Sequence, residues 1–343
     1  MIHEDMDGQR LFKLLGKYLN AAPDSFLYKM LRKKNIKLNN QKADGSELLK
    51  AGDIINIYLA DDTILKFQKE KETGNVHHLI KERKPLEILY ESKDILIVNK
   101  PVGTLSQKAK PSDCSLNEQI VAYYHGTRKN DSLFCPSVCN RLDRNTSGLV
   151  LAGMSLKGSQ VLSLLLKGRA LDKTYITIVM GQISKAGRIN GYLLKDEKSN
   201  KVTLQNKIGA DDENNQKHDI DTVYEPIKTA SYKNVSYTLL KVRLITGKTH
   251  QIRVHMASIG HPIIGDRKYG NQKINAFFNQ RFHLRYQLLH AMQITFPKEH
   301  AIYDTVSLLE IPKETIIAPI PKAFETIRNE IFDGGKAYGN MEF

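Results

Sequence analysis

Four stretches rich in β-branched, aliphatic and aromatic residues most limit what this chain can fold into. They begin at residues 86, 172, 235 and 288 and read LEILYESKDILIVNKPVG, DKTYITIVMGQI, VSYTLLKVRLITG and LLHAMQITF. Such composition is typical of β-strands, whereas the intervening SLNEQIVAYYH and SLKGSQVLSLLLKG predict helices. Because helices do not alternate regularly with strands, we expect residues 86–320 to form an α+β domain with flanking helices and a mainly antiparallel or mixed sheet.

Residues 8–62 predict a separate small α/β module. RLFKLLGKYL and SFLYKMLRKK have helical spacing of apolar residues, and IKLNNQKA and AGDIINIYLADD alternate like short strands. From Lys29 to Lys42 the module carries six positive charges and no acid. Such a run is either a solvated helix face or a surface that binds a polyanion.

Overall charge bears on that choice. Lys and Arg number 51 against 37 Asp and Glu, a formal net charge of +14, which favours nucleic acid as the partner, ahead of an anionic membrane surface. No stretch approaches the length of a transmembrane helix, and the first residues lack the pattern of a signal peptide, so we expect a cytoplasmic protein without membrane association. The three cysteines fit no paired zinc spacing, and no metal is expected.

Two segments lie outside these units. Residues 63–85 are dense in charge and poor in aliphatic periodicity, which predicts a linker. Residues 321–343 predict one short helix with a poorly ordered end, and we interpret them as a C-terminal tail.

A single aspartate stands in the segment NRLDRNTSGLVLAG, residues 140–153. A mid-chain aspartate is most often a helix cap or turn residue. Here Arg141 and Arg144 flank Asp143, and nearby cations favour the ionised carboxylate. Because an ionised carboxylate on a tight turn can act as a nucleophile, Asp143 is a candidate catalytic residue, with cap and turn as the alternatives.

Two later segments carry further candidates. Tyr175 lies in DKTYITIVMGQI, and Arg253 lies in TGKTHQIRVHMASIGHPIIGDRKYG. Taken singly, a sheet tyrosine and a structural salt bridge explain them. The spacing of His250, His255 and His261 does not place them on one helical face, and no paired carboxylates accompany them, so a metal site is not predicted.

Together these segments resemble the RluA-type family of pseudouridine synthases, whose motifs read approximately H-R-L-D-x-x-T-S-G, K-x-Y and G-R-x-H-Q-I-R-V-H-x-x-x-x-G-H-P-I-x-G-D-x-x-Y-G. VNKPVGTLSQ and LLHAMQITFP are also similar, so the resemblance covers nearly all of residues 86–300. It implies that Asp143 is the catalytic aspartate, that Tyr175 stacks on the target base and that Arg253 pairs with the aspartate.

The N-terminal unit resembles the S4 RNA-binding module over its whole length. In that module the second helix and the following loop lie on structured RNA. The resemblance therefore implies that Arg32, Lys33 and Lys37 contact RNA phosphates.

The family motifs depart from this chain at two positions. Asn140 stands where the family has His, and Lys248 stands where it has Arg. With Arg141, these two residues are predicted substrate contacts, and the departures concern how the substrate is held more than the chemistry.

The resemblance implies isomerisation of uridine to pseudouridine in structured RNA by a monomer without metal or organic cofactor. Large-subunit ribosomal RNA is the favoured substrate, and transfer RNA is an alternative. A non-catalytic RNA-binding or ribosome-assembly protein is the alternative from another class, against which the presence of Asp143, Tyr175 and Arg253 together argues. Whether the aspartate attacks the sugar or acts as a base at the ribose is left open.

Overall fold

The computed structural model describes residues 1–68, 85–110, 112–127, 134–195, 202–205, 218–300, 310–312 and 315–334. Most of the segment predicted as a linker and the end of the tail lie outside these residues. The N-terminal module contains α1 (Leu11–Tyr18), α2 (Asp24–Arg32), β1 (Ile36–Leu38), β2 (Gln41–Lys42), β3 (Ile55–Ile57) and α3 (Asp61–Phe67). Its three strands form an antiparallel sheet of order β2-β1-β3.

The larger unit combines one extended sheet with five helices among the described residues. Its helices are α4 (Leu116–Thr127), α5 (Leu156–Lys167), α6 (Gln251–Ser258), α7 (Gln272–Phe282) and α8 (Lys322–Phe332). Its strands are β4 (Ile88–Glu91), β5 (Ile95–Lys100), β6 (Ser137–Val138), β7 (Ser147–Gly153), β8 (Asp172–Met180), β9 (Gly187–Lys195), β10 (Val202–Gln205), β11 (His218–Tyr232), β12 (Val235–Leu244), β13 (Leu289–Thr295) and β14 (Thr315–Ile317).

Strand order in this sheet is β10-β9-β11-β12-β8-β13-β7-β5-β4, with β14 beside β13 and β6 beside β7. Among the described strands, β13 and β7 form a parallel pair and all other pairs are antiparallel. The predicted α+β class with a mainly antiparallel or mixed sheet is therefore confirmed.

Strand β13 brings distant parts of the chain to one level of the sheet. Its His290 pairs with Ser147 of β7, and its Ala291 pairs with Tyr175 of β8. The start of β7 and the middle of β8 are thus separated by one strand, about 10 Å at the usual strand spacing. This register places the loop before β7 near the predicted base-stacking tyrosine.

Gly148 permits the close approach of β7 to β13. Its φ is +112°, and a Cβ there would lie 2.1 Å from the carbonyl oxygen of Ala291. Any side chain would therefore push the two strands apart as well as strain the backbone.

Apolar side chains alternate between the two faces of the central strands. In β8, Tyr175 and Val179 belong to one buried cluster, and Ile176 and Ile178 belong to another on the opposite face. The helix predicted in the tail is α8, and it packs into the second cluster through residues at helical spacing: Phe324, Ile327, Ile331 and Phe332. Helix α8 is consequently part of the core rather than an appendage.

The residues that lead into the N-terminal module contact the larger unit. Asp5 accepts a hydrogen bond of 2.7 Å from the hydroxyl of Tyr124 in α4. Asp7 forms an ion pair of 2.6 Å with Lys157 of α5. Within the described ranges, no helix combines the length and apolar character needed to cross a lipid bilayer.

Candidate active site

Asp143 lies in the loop between β6 and β7, and neighbouring segments fix the backbone on both sides of it. Its carbonyl oxygen accepts the Thr146 N–H at 3.1 Å, which closes a tight turn. Before it, the backbone N–H and C=O of Leu142 both bond the Ser106 hydroxyl at 3.0 Å. After it, the Arg144 carbonyl accepts the Gly103 N–H at 2.9 Å. The carboxylate is 21% exposed, so it faces an accessible site.

Lys100, at the end of β5, is a second anchor of this loop. It is fully buried, and its ammonium donates to the carbonyl oxygens of Pro101, Thr104 and Arg144 at 3.1, 2.8 and 3.2 Å. Burial lowers the pKa of Lys100 to about 7, against an opposing effect of the Asp143 charge. Its three donors thus tie the segment after β5 to the residue that follows the aspartate.

The end of the Asp143 loop is held by buried hydrogen bonds to β13 and its approach. The hydroxyl of Thr146 accepts from the Gln287 amide at 3.1 Å. The Nε2 of His290 lies 3.2 Å from the Ala318 carbonyl and must donate to it, so its Nδ1 accepts from the Ser147 hydroxyl at 2.9 Å. Burial lowers the pKa of His290 to about 4, which keeps the ring neutral near pH 7.

Arg253 projects from α6 and contacts two aspartates. Its Nη1 donates to Oδ2 of Asp143 at 2.9 Å. Its Nε and Nη2 donate to the two oxygens of Asp266 at 2.7 and 2.9 Å, a bidentate pair. The arginine therefore makes its bidentate pair with Asp266 and gives Asp143 a single hydrogen bond.

Asp266 is the buried end of this chain of ion pairs. It is 1% exposed and also accepts the backbone N–H groups of Lys268 and Tyr269 at 2.9 and 3.1 Å. Burial alone raises its pKa, but the hydrogen bonds and charge of Arg253 outweigh this and hold the pKa below its ordinary value. Burial likewise lowers the pKa of Arg253, and its two acidic partners reverse the shift, so the pKa is raised overall. Arg253 and Asp266 therefore both remain charged at neutral pH.

Tyr175 lies in β8 and is nearly buried. Burial raises the pKa of its phenol, and the negative charge of Asp143 raises it further. The hydroxyl forms no hydrogen bond within the part of the chain that the structure describes. It is therefore protonated near pH 7 and available to a bound molecule.

His250 and Tyr269 complete the surroundings of Asp143. His250 adopts a left-handed backbone conformation with φ of +59°, and its Nε2 lies 3.9 Å from Oδ2 of Asp143. Its Nδ1 lies 3.0 Å from the Tyr269 hydroxyl, and the Arg253 guanidinium lies 5.2 Å from the centre of the Tyr269 ring. Burial lowers the pKa of His250, and the charge of Asp143 partly offsets this effect.

Four residues around Asp143 were not predicted from the sequence as site residues: Lys100, His250, Asp266 and Tyr269. All four stand within the segments that carry the family resemblance. Their position in these segments is the sequence feature from which they could have been proposed as site residues. Their roles depend on long-range contacts and could not be assigned from spacing.

The predicted substrate contacts lie around this centre in different environments. Arg141 and Lys248 are exposed, and neither pairs with an acid in the described residues. Arg141 and Arg144 form no ion pair with Asp143, so Arg253 is the cation that contacts it. Asn140 bonds the backbone of β7 through both ends of its amide, at 3.3 and 2.7 Å, and thus links its loop to the sheet.

The other two histidines considered for a metal site also contact protein groups. His255 bonds the Thr222 hydroxyl at 2.8 Å, and His261 bonds the Met180 carbonyl at 2.9 Å. Across the described ranges, no cluster of three or more His, Cys, Asp or Glu side chains has a geometry suited to a metal ion.

The N-terminal module presents its predicted phosphate contacts near one end of α2. Arg32 and Lys33 are exposed, and Lys37 is partly exposed, with its ammonium 5.4 Å from the centre of the Tyr58 ring. The module thus supplies a cationic surface outside the catalytic centre.

Known proteins share this arrangement of sequence and fold. A family model described as RNA pseudouridylate synthase matches residues 94–258. The ribosomal large subunit pseudouridine synthase C of Vibrio parahaemolyticus is 30% identical over 315 residues, which cover 92% of each chain. The chain belongs to the RluA-type family of RNA pseudouridine synthases.

Two further relatives agree with this family. An uncharacterised RNA pseudouridine synthase of Mycoplasma genitalium is 29% identical over 301 residues, 87% of this chain and 88% of that protein. The human RNA pseudouridylate synthase domain containing 4 superimposes with a TM-score of 0.54 at 20% identity, over 74% of this chain and 93% of that structure. The second likeness supports the fold alone.

Membership of the RNA pseudouridine synthases confirms the predicted class of enzyme. The chain is an isomerase that forms pseudouridine in RNA. The roles of individual residues and the resemblance of the N-terminal module to S4 stay predictions.

Proposed function

We propose that this enzyme converts one or more uridines of large-subunit ribosomal RNA to pseudouridine, with Asp143 as the reacting carboxylate. The observation that carries the assignment of residues is the Asp143–Arg253–Asp266 chain, which holds an accessible carboxylate beside the buried Tyr175. The choice of ribosomal RNA is supported by the name of the Vibrio parahaemolyticus relative. Transfer RNA is the alternative substrate.

The two carboxylate oxygens of Asp143 have different surroundings. Oδ2 accepts the hydrogen bond of Arg253, and Oδ1 accepts none within the described residues. We assign Oδ1 as the reacting atom and Oδ2 as the atom that fixes its direction. The same oxygen suits either attack on C1′ of the ribose or removal of a ribose proton, and both routes break the bond between N1 and C1′.

The detached uracil must then turn within the site and rejoin through C5. We propose that the Tyr175 ring holds the base by stacking while it turns, because an aromatic face binds a base without fixing its edges. Formation of the C5–C1′ bond is completed by moving one proton from C5 to N1, so the isomerisation neither consumes nor releases a proton overall. Since its pKa is raised, the Tyr175 phenol acts as a hydrogen-bond donor rather than as a ready phenolate base.

Arg253 and Asp266 act as positioning residues in this proposal. Asp266 receives two of the three hydrogen bonds of Arg253, so it determines where Nη1 points. The buried charge of Asp266 also keeps the arginine from moving toward the substrate phosphates. The carboxylate of Asp143 thus meets the substrate in one orientation, which limits the entropy lost on reaching the transition state.

The exposed cations of the N-terminal module support structured RNA as the substrate. We propose that Arg32, Lys33 and Lys37 contact phosphates, while Arg141, Asn140 and Lys248 lie near nucleotides that flank the target. The proposed enzyme acts as a monomer in the cytoplasm, the compartment of its proposed substrate.

Mapping pseudouridine in total RNA tests this function. Cells lacking the gene should lose pseudouridine at one or a few positions of large-subunit ribosomal RNA. Expression of the wild type should restore them, and expression of Asp143→Asn should not. Asp172→Asn, which alters an exposed aspartate 3.8 Å from Arg243, is the matched control and should restore them. Loss confined to transfer RNA would contradict the ribosomal substrate, and restoration by Asp143→Asn would contradict the assigned carboxylate.

A further inference from the structure

The exposed face of α2 carries an aromatic ring among its cations. Ser25, Tyr28, Lys29 and Arg32 follow one another at helical spacing, so they share a face. With residues 42–44 they line an open groove of about 360 Å³. Tyr28 is 55% exposed in this groove, although aromatic side chains ordinarily bury most of their surface.

One face of the Tyr28 ring is already covered, and the covering ring is rigidly placed. Phe12 stacks on Tyr28 with the ring centres 4.2 Å apart and the planes inclined by 20°. The Phe12 N–H donates to the Gly45 carbonyl at 3.0 Å, and a Cβ at Gly45 would lie 3.1 Å from Cβ of Phe12. The exposed area of Tyr28 therefore lies on its opposite face and edge.

The charges around this ring suit an anionic ligand. Lys29, Arg32 and Lys42 line the groove and form no ion pair with any described residue. Asp44 also lines the groove, and its Oδ1 is engaged by the N–H and hydroxyl of Ser46 at 2.8 and 2.6 Å. A ligand with a flat aromatic part and negative charges on a flexible chain matches this combination.

We propose that this groove, called the Tyr28 groove below, binds one unpaired nucleotide of the RNA substrate. The base stacks on the free face of Tyr28 as the third layer above Phe12, and the adjoining phosphates lie at Lys29, Arg32 and Lys42. A base within a continuous duplex is covered by its neighbours, so the groove selects a bulge, a loop or a strand end. The inference rests on the proposed function only in taking RNA as the ligand.

Fluorescence provides a local test, because the chain contains no tryptophan. The Tyr28→Trp variant has a single indole in the groove, and its emission should change on titration with a short single-stranded RNA of mixed sequence. The same strand paired into a blunt duplex should produce a much smaller change. An emission unaffected by the single strand would overturn the proposal.

Affinities of three variants separate stacking from charge. Tyr28→Leu should raise the Kd for the single-stranded RNA by about 5-fold to 150-fold, corresponding to the ~1–3 kcal/mol of one base–aromatic stack, whereas Tyr28→Phe should bind like the wild type. The salt dependence of Tyr28→Leu should equal that of the wild type. Arg32→Gln should instead lower the log–log salt slope by about one unit, as expected for one lost phosphate contact.

Tyr58→Leu is the matched control. Tyr58 is an equally exposed tyrosine of the same module, but it does not line the Tyr28 groove, and its replacement keeps the charge of the neighbouring Lys37. Its variant should bind RNA like the wild type. If Tyr28→Leu binds like this control, or alters the salt slope as Arg32→Gln does, the groove does not stack a base.

The proposed enzymatic function fails in a different way. Pseudouridine mapping of cellular RNA tests it without reference to Tyr28. An enzyme that forms pseudouridine but shows no emission change overturns the Tyr28 groove alone. An emission change without any pseudouridine formation overturns the proposed function alone.

Discussion

Replacing Asp266 with Asn tests whether the buried end of the ion-pair chain positions the reacting carboxylate. Asn has nearly the same shape, and its oxygen can keep the bonds from Arg253 Nη2 and from the N–H groups of Lys268 and Tyr269. The NH₂ group of Asn then faces Arg253 Nε, which in the wild type donates to Oδ2 of Asp266 at 2.7 Å. Two donors meet there, so one charge-assisted hydrogen bond is lost and a buried guanidinium loses half of its balancing charge.

The expected loss of stability follows from this geometry. The side chains of Arg253 and Asp266 are 9% and 1% exposed, so water cannot replace the missing acceptor. We expect the free energy of unfolding to fall by about 2–4 kcal/mol, between the cost of one unsatisfied buried group and that of a broken buried ion pair. Because the pKa of Asp266 is held low, this difference should be complete above about pH 4 and shrink as the pH falls further.

The expected loss of activity is larger and separates positioning from stability. A displacement of Arg253 by about 1 Å turns the Asp143 carboxylate and should lower kcat by about 100-fold at a temperature where the variant is folded. KM should change little, because the proposed RNA contacts lie elsewhere. Urea unfolding measures the loss of stability, and the rate of pseudouridine formation at saturating RNA measures kcat.

Asp172→Asn is the control for this comparison. Its exposed pair with Arg243 at 3.8 Å should contribute less than about 1 kcal/mol and leave kcat unchanged. If Asp266→Asn lost stability but kept the kcat of the wild type, the argument that Asp266 positions the site through Arg253 would be refuted.

Three further changes test other parts of the molecule. Tyr175→Phe keeps the ring and removes the hydroxyl, so RNA affinity should persist while turnover slows; full activity would restrict Tyr175 to stacking. The pKa of Lys100 is about 7 in the folded protein and about 10.4 in the unfolded chain, so between these pH values the unfolded wild type binds more protons than the folded one. The Lys100→Met variant lacks this difference. Wild-type stability relative to Lys100→Met should therefore rise with pH across that window in denaturant titrations, and a flat difference would contradict a buried, readily deprotonated lysine. Replacing Arg32, Lys33 and Lys37 with Gln should lower the log–log salt slope of RNA binding by about two to three units, with the rate restored at saturating RNA; an unaltered slope would mean that these charges are only solvated.

The sequence was sufficient for those elements whose residue pattern agrees with their burial. Strands β5, β8, β12 and β13 coincide with the aliphatic stretches, and α4 and α5 coincide with the segments of helical pattern. The neighbouring strands β9 and β11 were not predicted. Their sequences, GRINGYLLK and HDIDTVYEPIKTASY, contain many polar residues and therefore lack the aliphatic pattern of the predicted strands. Both strands lie toward one edge of the sheet.

Helix α6 could not be predicted from the spacing of its apolar residues. Its residues Gln251 through Met256 are all buried, including Arg253 and His255, so no polar face alternates with an apolar one. The segment therefore lacks the periodicity of an amphipathic helix. Its start at His250 in a left-handed conformation also differs from the usual capping signals. Because the buried face of α6 could not be identified from its residue pattern, the contact from Arg253 to Asp266 was not predictable either.

The two departures from the family motifs occupy positions outside the ion-pair chain. Asn140 bonds the backbone of β7, and Lys248 is exposed at the turn before α6. Neither residue contacts Asp143. The orientation of Asp143 depends on Arg253, which lies 110 residues further along the chain, and on the strand register set by β13. The sheet thus fixes the position of Asp143 through long-range pairing, and the two amide hydrogen bonds of Asn140 hold its loop against β7. Under the proposed assignment, a substitution at position 248 alters how the RNA is held and leaves the Asp143–Arg253 hydrogen bond in place, because Lys248 contacts neither side chain.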